Sequence, residues 1–374
     1  MKIAMIGHKR IPTREGGIEI VVAELSKRMA ALGNDVTAYN RKSRHIAGKA
    51  YDAERLKNYE GVRIKWIVTP ESSKLNALVY SFLATLSAIF GGYDVLHYHA
   101  EGPCAMLPLA RLFGKRCVAT IHGLDWQRAK WGGFATKFLQ FGERCAAKYA
   151  NEIIVLSDNV QQYFLDTYGR KTVFIPNGIE RPEKRPACVI EENYGLQANR
   201  YLLFLGRIVP EKCVHLLIEA YRTLDTDMPL VIAGGASHTG EYEASVRQQA
   251  EGDDRIIFTG FVQGVELEEL FSNAYVYILP SDLEGMPISL LEAMSFGNCC
   301  LTSDIPECTE VCGDKAFCFR KGNAEDLHNK LAYLLAHPEE VKRFQDTAQD
   351  YICAKYNWND VTRQTLALYE KSTD

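Results

Sequence analysis

Residues 2–39 decide the fold, and they read KIAMIGHKRIPTREGGIEIVVAELSKRMAALGNDVTAY. Apolar runs at Lys2–Ile6 and Val36–Tyr39 predict two buried strands. The segment between them has a helical stripe that stops at Gly33 and consists of Ile18, Val21, Val22, Leu25, Met29 and Leu32. A strand, a helix and a strand in this order predict parallel strands with the helix packed on their sheet.

The same alternation continues along the chain on both sides of a charged, proline-containing linker at Ile179–Pro186. Before the linker, further strands are predicted at Val62–Val68, Val95–Tyr98, Cys117–Ile121, Glu152–Leu156 and Thr172–Ile175. After it, strands are predicted at Tyr201–Leu205, Leu230–Ala233, Arg255–Phe258, Tyr275–Leu279 and Cys300–Thr302. We therefore expect an α/β protein with two Rossmann-like, doubly wound domains, residues 1–180 and 181–358, facing a ligand-binding cleft.

Composition narrows the possible environment and partners. The net charge of −4 is unevenly distributed, since residues 1–180 have 25 Lys and Arg against 16 Asp and Glu. This basic half suits an anionic membrane surface or a phosphate-bearing acceptor, whereas no nucleic-acid-binding motif accompanies the charge. The eleven cysteines lack zinc-site spacing and predict reduced, mostly buried thiols. No secretory signal is evident, so a cytoplasmic protein is expected.

The loop after the first strand has no G-x-G-x-x-G, which disfavours an NAD enzyme. Gly16 and Gly17 instead open the first helix. They either let backbone N–H groups approach phosphate or sugar oxygens, or serve only the geometry of a turn.

In the second half, Gly206 and Arg207 follow a strand, and Lys212 lies at the predicted start of the next helix. Two cations on one strand-to-helix connection can hold a diphosphate and stabilise its charge as it leaves. A solvated basic loop is the alternative.

Residues 279–293, LPSDLEGMPISLLEA, form the strongest motif. A strand enters a loop containing Gly285 and Met286, and Pro287 is predicted as the first residue of a helix whose N-terminus faces a diphosphate. Glu284 in the loop and Glu292 in the helix suit hydrogen bonds to sugar and ribose hydroxyls. For Glu292, an ordinary helix-surface glutamate is the alternative.

Possible metal ligands receive plainer interpretations. His97, His99 and His122 end two strand-like runs, and a metal pair is conceivable, but a packed, hydrogen-bonded histidine explains His97 better. The D-x-D pattern at Asp225 and Asp227 precedes a strand, so we interpret it as a solvated turn.

Two stretches bear on membrane association. Leu75–Tyr93 has no charged residue, yet polar residues interrupt it, so a buried helix is favoured over a transmembrane span. Trp126–Ala150 interleaves aromatic residues with Arg128, Lys130, Lys137, Arg144 and Lys148. Its composition fits a membrane surface, or an amphipathic helix whose aromatic residues are all core.

Taken together, the motifs resemble glycosyltransferase family 4 over nearly the whole chain. The resemblance rests on Gly16-Gly17, Thr120-Ile121-His122-Gly123, Asn177-Gly178-Ile179, Gly206-Arg207 with Lys212, and Glu284-x7-Glu292, in that order. It implies a GT-B fold, a retaining mechanism without a metal cofactor, and a nucleoside diphosphate sugar as donor substrate. It also implies that a last helix, within residues 359–374, crosses back to the first domain.

The resemblance also implies roles for individual residues. Arg207 and Lys212 would bind the diphosphate, Glu292 the ribose, and Glu284 the donor sugar, which His122 would also contact. Gly17 would lie at the diphosphate or acceptor, and backbone around Gly260 would line the base pocket. Cys213 departs from the family, which usually has glycine there.

The first half is similar to bacterial rhamnosyltransferases of capsule and cell-wall polysaccharide assembly, notably in residues 11–19, 99–103 and 123–128. This similarity implies a dTDP-L-rhamnose donor, a glycan or polyprenyl-diphosphate-linked acceptor, and a position at the inner face of the membrane. A sugar-nucleotide epimerase of the same fold and a non-catalytic sugar-nucleotide-binding scaffold remain the alternatives.

Overall fold

The structure is a computed structural model, and it describes residues 1–43, 55–72, 75–127, 133–235 and 240–370. The chain forms two compact units. Unit 1 comprises Met1–Gly178 together with Trp358–Asp374, and unit 2 comprises Ile179–Asn357. The chain therefore leaves unit 1 after Gly178 and returns to it at Trp358.

Unit 1 is built on an eight-stranded sheet with the order β3-β4-β2-β1-β5-β6-β7-β8. Its strands are β1 Lys2–Ile6, β2 Asp35–Lys42, β3 Asn58–Tyr59, β4 Val62–Val68, β5 Val95–His99, β6 Arg116–Ile121, β7 Glu152–Val155 and β8 Val173–Phe174. All neighbouring strands pair in parallel except β3 and β4. The central strands are buried on both faces, as the continuous apolar run of β1 requires.

The helices described in unit 1 are α1 Gly17–Ala31, α2 Asn76–Ile89, α3 Glu101–Cys104, α4 Leu107–Leu112, α5 Phe134–Tyr149, α6 Asp158–Tyr168 and, from the end of the chain, Trp358–Glu370. The connections β4 to β5, β5 to β6 and β6 to β7 all advance in the same direction across the sheet. Because such crossovers are right-handed, α2, α3, α4 and α5 form one layer on one face. The returning helix packs against α1.

Unit 2 has a fully parallel six-stranded sheet with the order β11-β10-β9-β12-β13-β14. Its strands are β9 Leu202–Leu205, β10 Leu230–Ala233, β11 Ile256–Gly260, β12 Val276–Leu279, β13 Cys299–Ser303 and β14 Phe317–Phe319. Its described helices are α7 Val189–Tyr194, α8 Val214–Arg222, α9 Gly240–Ala250, α10 Val265–Asn273, α11 Ile288–Ser295, α12 Pro306–Cys312, α13 Ala324–Ala336 and α14 Pro338–Lys355. The helix Trp358–Glu370 is accordingly α15.

The predicted fold class of two doubly wound parallel-sheet domains is confirmed. Each long predicted strand lies on an observed one, whereas β3 and β14 were missed because two or three residues are too few to show a period. Every cysteine is a free thiol, and most are buried.

Two local expectations were wrong. Residues 210–212 form a short 3-10 turn, and the helix begins only at Val214. Pro287 is the N-cap residue in extended conformation, and α11 begins at Ile288. The helix in Leu75–Tyr93 is buried on only one face, because Leu75, Phe82, Leu83 and Phe90 are exposed. In the described part of the chain no helix is both long and apolar enough to cross a bilayer.

Candidate active site

In unit 2, three glycines lie side by side where β9, β10 and β11 end. The Gly206 N–H donates to the Ala233 carbonyl at 3.0 Å, and the Gly234 N–H donates to the Gly260 carbonyl at 2.7 Å. A Cβ on Gly234 would lie 1.8 Å from the Gly206 carbonyl oxygen, and Gly234 and Gly260 have φ of +139° and +74°. This edge of the sheet is therefore lined by backbone, which a ligand can approach closely.

The connection after β9 places one cation beside one carboxylate. Lys212 Nζ lies 2.5 Å from Glu284 Oε1, and the two side chains are only 11% and 10% exposed. Cys213 then takes a left-handed conformation with φ of +51°. A glycine adopts that conformation without strain, which explains why glycine is the usual residue here in the family that the chain resembles and why cysteine is unusual. The strained turn nevertheless leaves Lys212 aimed at Glu284.

The loop before α11 is tied to the connection after β9. The Asp282 N–H donates to the Glu211 carbonyl at 2.9 Å. The hydroxyl of Tyr277, which is fully buried on β12, bonds Ser289 Oγ at 2.9 Å and the Leu205 carbonyl at 3.3 Å. These bonds fix the first turn of α11 against the end of β9. Tyr277 and Ser289 were missed by sequence reasoning, because nothing in a strand tyrosine signals its distant partners.

The remaining predicted residues of unit 2 lie on the same two connections. Gly285, Met286 and Pro287 are buried at the N-terminal end of α11, where the helix dipole places a positive partial charge. Arg207 is half-buried directly after β9, and Glu292 is half-buried on α11. The structure thus brings these residues, Lys212, Glu284 and Gly206 to one edge of one sheet, next to Gly260.

In unit 1, the loop after β1 folds back on α1. Glu19 is buried, and its Oε1 accepts a hydrogen bond from the Lys9 N–H at 2.8 Å. A Cβ on Gly16 would lie 2.3 Å from Glu19 Oε2. The lack of a side chain at Gly16 therefore makes room for the buried Glu19 carboxylate, and Gly17 is the first residue of α1.

Three histidines form a buried row at the ends of β5 and β6. His97 bonds the hydroxyl of Tyr369 at 2.6 Å and Thr120 Oγ1 at 2.7 Å, so it is the packed histidine that was expected. His99 Nδ1 lies 3.1 Å from His122 Nε2. Burial lowers the pKa of His97 to about 3 and that of His99 well below its ordinary value, so both are neutral. In the bond between His99 and His122, one ring nitrogen donates and the other accepts.

Two helices of unit 1 each contribute a buried glutamate. Glu143 on α5 accepts hydrogen bonds from Trp126 Nε1 at 2.9 Å and from the hydroxyls of Tyr163 and Tyr168. Glu101 on α3 is fully buried, close to both Asp125 and Glu143. Burial, with Asp125 and Glu143 nearby, raises the pKa of Glu101 to about 10, so this side chain is protonated at neutral pH. Sequence reasoning missed both acids.

Metal-binding geometry is not evident in the described ranges, which contain no group of three or more His, Cys, Asp or Glu residues arranged to hold an ion. Asp227 of the D-x-D pattern is exposed and pairs with Arg200. The pattern lies in irregular structure before β10, as predicted.

Two family profiles and a solved structure match this chain. Residues 15–181 match the sequence profile described as Glycosyltransferase Family 4, and residues 190–351 match the one described as Glycosyl transferases group 1. The structure of Anabaena HepE, in complex with UDP and glucose, superposes with a TM-score of 0.81 over 98% of each chain, at 16% identity.

Two curated relatives are similar in sequence. Alpha-maltose-1-phosphate synthase of Mycolicibacterium smegmatis is 25% identical over 99% of each chain. The UDP-Gal:alpha-D-GlcNAc-diphosphoundecaprenol alpha-1,3-galactosyltransferase of Escherichia coli is 26% identical over 57% of this chain and 58% of its own.

The fold and these matches define a glycosyltransferase of the GT-B class. With both profiles matched in the order that the motifs suggest, the chain belongs to glycosyltransferase family 4.

Proposed function

We propose that the protein is a retaining transferase that moves a sugar from a nucleoside diphosphate, without a metal ion, to a lipid-linked or oligosaccharide acceptor in bacterial surface polysaccharide synthesis. The observation that carries the proposal is the Lys212–Glu284 pair at the glycine-lined edge of unit 2. A weakly exposed cation beside backbone N–H groups suits a diphosphate whose charge grows during the reaction.

The proposed roles follow from position. Lys212, Arg207 and the start of α11 hold the diphosphate, with Gly285, Met286 and Pro287 at that helix terminus. Glu292 binds the ribose, and backbone at Gly206 and Gly260 borders the nucleoside. When the diphosphate attracts Lys212, Glu284 can exchange part of its ion pair for hydroxyl groups of the donor sugar. His122 and Gly17 supply contacts from unit 1.

For the donor we propose dTDP-L-rhamnose, because residues 11–19, 99–103 and 123–128 resemble rhamnosyltransferases. The HepE structure contains UDP and glucose, which makes UDP-glucose the natural competitor. For the acceptor, we propose a sugar on a polyprenyl diphosphate. The Escherichia coli relative acts, by its name, on a diphosphoundecaprenol-linked sugar.

The outer face of α5 supports an acceptor at a membrane. Phe134 is 81% and Phe141 48% exposed, so the alternative in which all aromatic residues are core is wrong for these two. Lys137, Arg144 and Lys148 are exposed on the same helix, whereas Glu143 points inward to its hydroxyl donors. This face thus presents cations and aromatic rings, a composition that suits anionic lipid headgroups. Arg128, Lys130 and Trp131 lie outside the described residues.

A panel of nucleoside diphosphates and their sugars tests the donor. The preferred nucleotide should raise the melting temperature, because a ligand that binds only the folded state stabilises it. Transfer is then measured with each stabilising donor and a polyprenyl-diphosphate acceptor. Epimerised donor formed without acceptor would assign an epimerase, and binding without any turnover would assign a scaffold.

Two substitutions separate the proposed roles. Glu292→Ala should weaken nucleotide binding, whereas Glu284→Ala should mainly lower turnover, since one carboxylate grips ribose and the other the reacting sugar. Calorimetric binding of the nucleotide and steady-state rates give the two quantities. Equal losses of affinity and rate in both variants would contradict the assignment.

A further inference from the structure

Helix α2 buries several polar side chains beside core residues such as Ile89, and it exposes other large apolar side chains. Asn76, Ser81 and Thr85 are buried, and so is the Tyr80 hydroxyl. Leu75 at the N-cap, Phe82, Leu83 and Phe90 at the C-cap are exposed. A helix on the surface of a globular domain normally exposes polar side chains and does not leave several large apolar ones in contact with water.

Hydrogen bonds to other strands and loops hold Asn76, Tyr80 and Thr85 of α2 inward. Asn76 Nδ2 donates to Ser43 Oγ at 2.9 Å and to Thr69 Oγ1 at 2.8 Å. The Tyr80 hydroxyl donates to the Tyr39 carbonyl at 2.6 Å, and Thr85 Oγ1 lies 3.1 Å from the Tyr98 hydroxyl. Rotating the helix to bury its exposed apolar side chains would break these hydrogen bonds. Polar groups of the neighbouring strands and loops would then be buried without partners.

The apolar face extends beyond α2. Phe90 is 72% exposed and meets Phe113, at the end of α4, edge to face with ring centroids 5.6 Å apart. Leu112 next to it is 81% exposed. Between Leu75 and Tyr93 the sequence has no charge. We call the surface of Leu75, Phe82, Leu83, Phe90, Leu112 and Phe113 the apolar face.

Another helix of the same layer, α5, indicates what covers this face. Helices α2 and α5 belong to one layer, and both pack against α3 and α4. The exposed face of α5 contributes Lys137, Arg144 and Lys148. An apolar surface beside a cationic one is complementary to a bilayer with anionic headgroups, because the cations meet phosphates while the apolar side chains enter the acyl boundary.

We propose that the apolar face inserts into the cytoplasmic leaflet of an anionic membrane, with α2 lying in the plane of the interface. Its 14 residues make a helix about 21 Å long, which is too short to span the hydrocarbon core. The inference deepens the proposed function, because it places unit 1 against the surface that would contain a lipid-linked acceptor. Vesicle binding itself requires no sugar transfer.

The test is co-sedimentation of the full chain with vesicles of phosphatidylcholine, with and without phosphatidylglycerol. The double substitution of Phe82→Glu with Phe90→Glu should lower partitioning at least tenfold. Val265→Glu, at an exposed apolar residue of unit 2, is the matched control and should bind like wild type. Phe82→Gln with Phe90→Gln repeats the test without added charge, and an unchanged melting temperature shows that each variant is folded.

The salt dependence of vesicle binding distinguishes the apolar face from the basic face, which is the exposed side of α5 with Lys137, Arg144 and Lys148. Reversing Lys137, Arg144 and Lys148 to glutamate should remove the salt-sensitive part of binding, whereas the loss in the phenylalanine variants should persist at high salt, since screening acts on charges. Unchanged binding by both phenylalanine variants would overturn the inference. So would a wild-type dimer that these variants dissociate while vesicle binding stays the same, because the apolar face would then be an interface between copies.

Sugar transfer to a short water-soluble acceptor is measured in parallel. Retained transfer by the phenylalanine variants shows that the active site is intact while the membrane contact is lost. If wild type binds vesicles through the apolar face but transfers no sugar with any donor, the proposed function fails and this inference stands.

Discussion

Units 1 and 2 have related folds but stabilise their functional residues differently. In unit 2, an ion pair and three glycines line the edge of the sheet, and Tyr277 fixes the helix behind them. In unit 1, buried histidines are packed in a row, and one of them bonds the returning helix α15 through Tyr369. Charge organises one site and hydrogen bonds between neutral groups organise the other, so the two units should respond differently to substitution and pH.

The largest effect is expected in unit 2. Lys212→Gln removes the cation that faces Glu284, and turnover should fall by about 10²- to 10³-fold, as when a preorganised electrostatic group is lost. Lys342→Gln, at an exposed surface pair with Asp346, is the control and should have no effect on rate. Steady-state kinetics with the preferred donor measures both. A loss smaller than fivefold would show that Lys212 is not the main diphosphate contact.

Acid should unfold unit 1 before unit 2. His8 and His97 have pKa values lowered to about 3 by burial, so below about pH 6.5 the unfolded chain binds protons that the folded chain does not. For each such histidine, stability falls by about 1.4 kcal/mol per pH unit as the pH falls, whereas the raised pKa of Glu101 makes an opposite contribution of similar size. The pKa of His99 is also lowered by burial, so the net effect of acid on unit 1 is still destabilising. None of the described histidines of unit 2 is buried. Urea unfolding is measured at pH 7 and pH 5.5 by limited proteolysis and peptide mapping, which report each unit separately. Cleavage of unit 2 at a lower urea concentration than unit 1 at pH 5.5 would contradict the prediction.

His99 should matter through His122. His99→Leu removes the bond to His122 Nε2, and turnover should fall about fivefold with nucleotide affinity unchanged, because one hydrogen bond is worth about 1 kcal/mol. His99→Asn keeps a nitrogen near the position of Nδ1 and should recover much of the rate. The ring nitrogen shifts of His122 by NMR should change in His99→Leu but not in a His215→Leu control. Unchanged ring nitrogen shifts of His122 in His99→Leu would contradict the proposed coupling between the two histidines.

The smallest expected effect is that of chelation. Because Lys212, Arg207 and the start of α11 are proposed to supply the positive field, EDTA should leave the rate unchanged. Rates before and after dialysis against EDTA measure this. Loss of activity that magnesium or manganese restores would show that a metal ion contributes to the positive field assigned to unit 2.

Much of the fold and of the unit 2 site could be predicted from the sequence. The alternation of apolar runs and helical stripes set the two parallel sheets, because the side-chain period depends only on local geometry. Gly206, Lys212, Glu284 and Glu292 could be placed together because loops after parallel strands meet at one edge. The exact start of α11 was less predictable, since a proline suits both the N-cap and the first helical residue.

Only the tertiary structure decided which way particular side chains face. The sequence of α2 shows polar and apolar stripes, but the partners that draw Asn76 and Tyr80 inward come from Ser43, Thr69 and Tyr39, on other strands and loops. The same holds for Glu143, which is turned away from the basic face of α5 by Tyr163 and Tyr168. Periodicity determines which residues share a face, whereas long-range hydrogen bonds determine which face is buried.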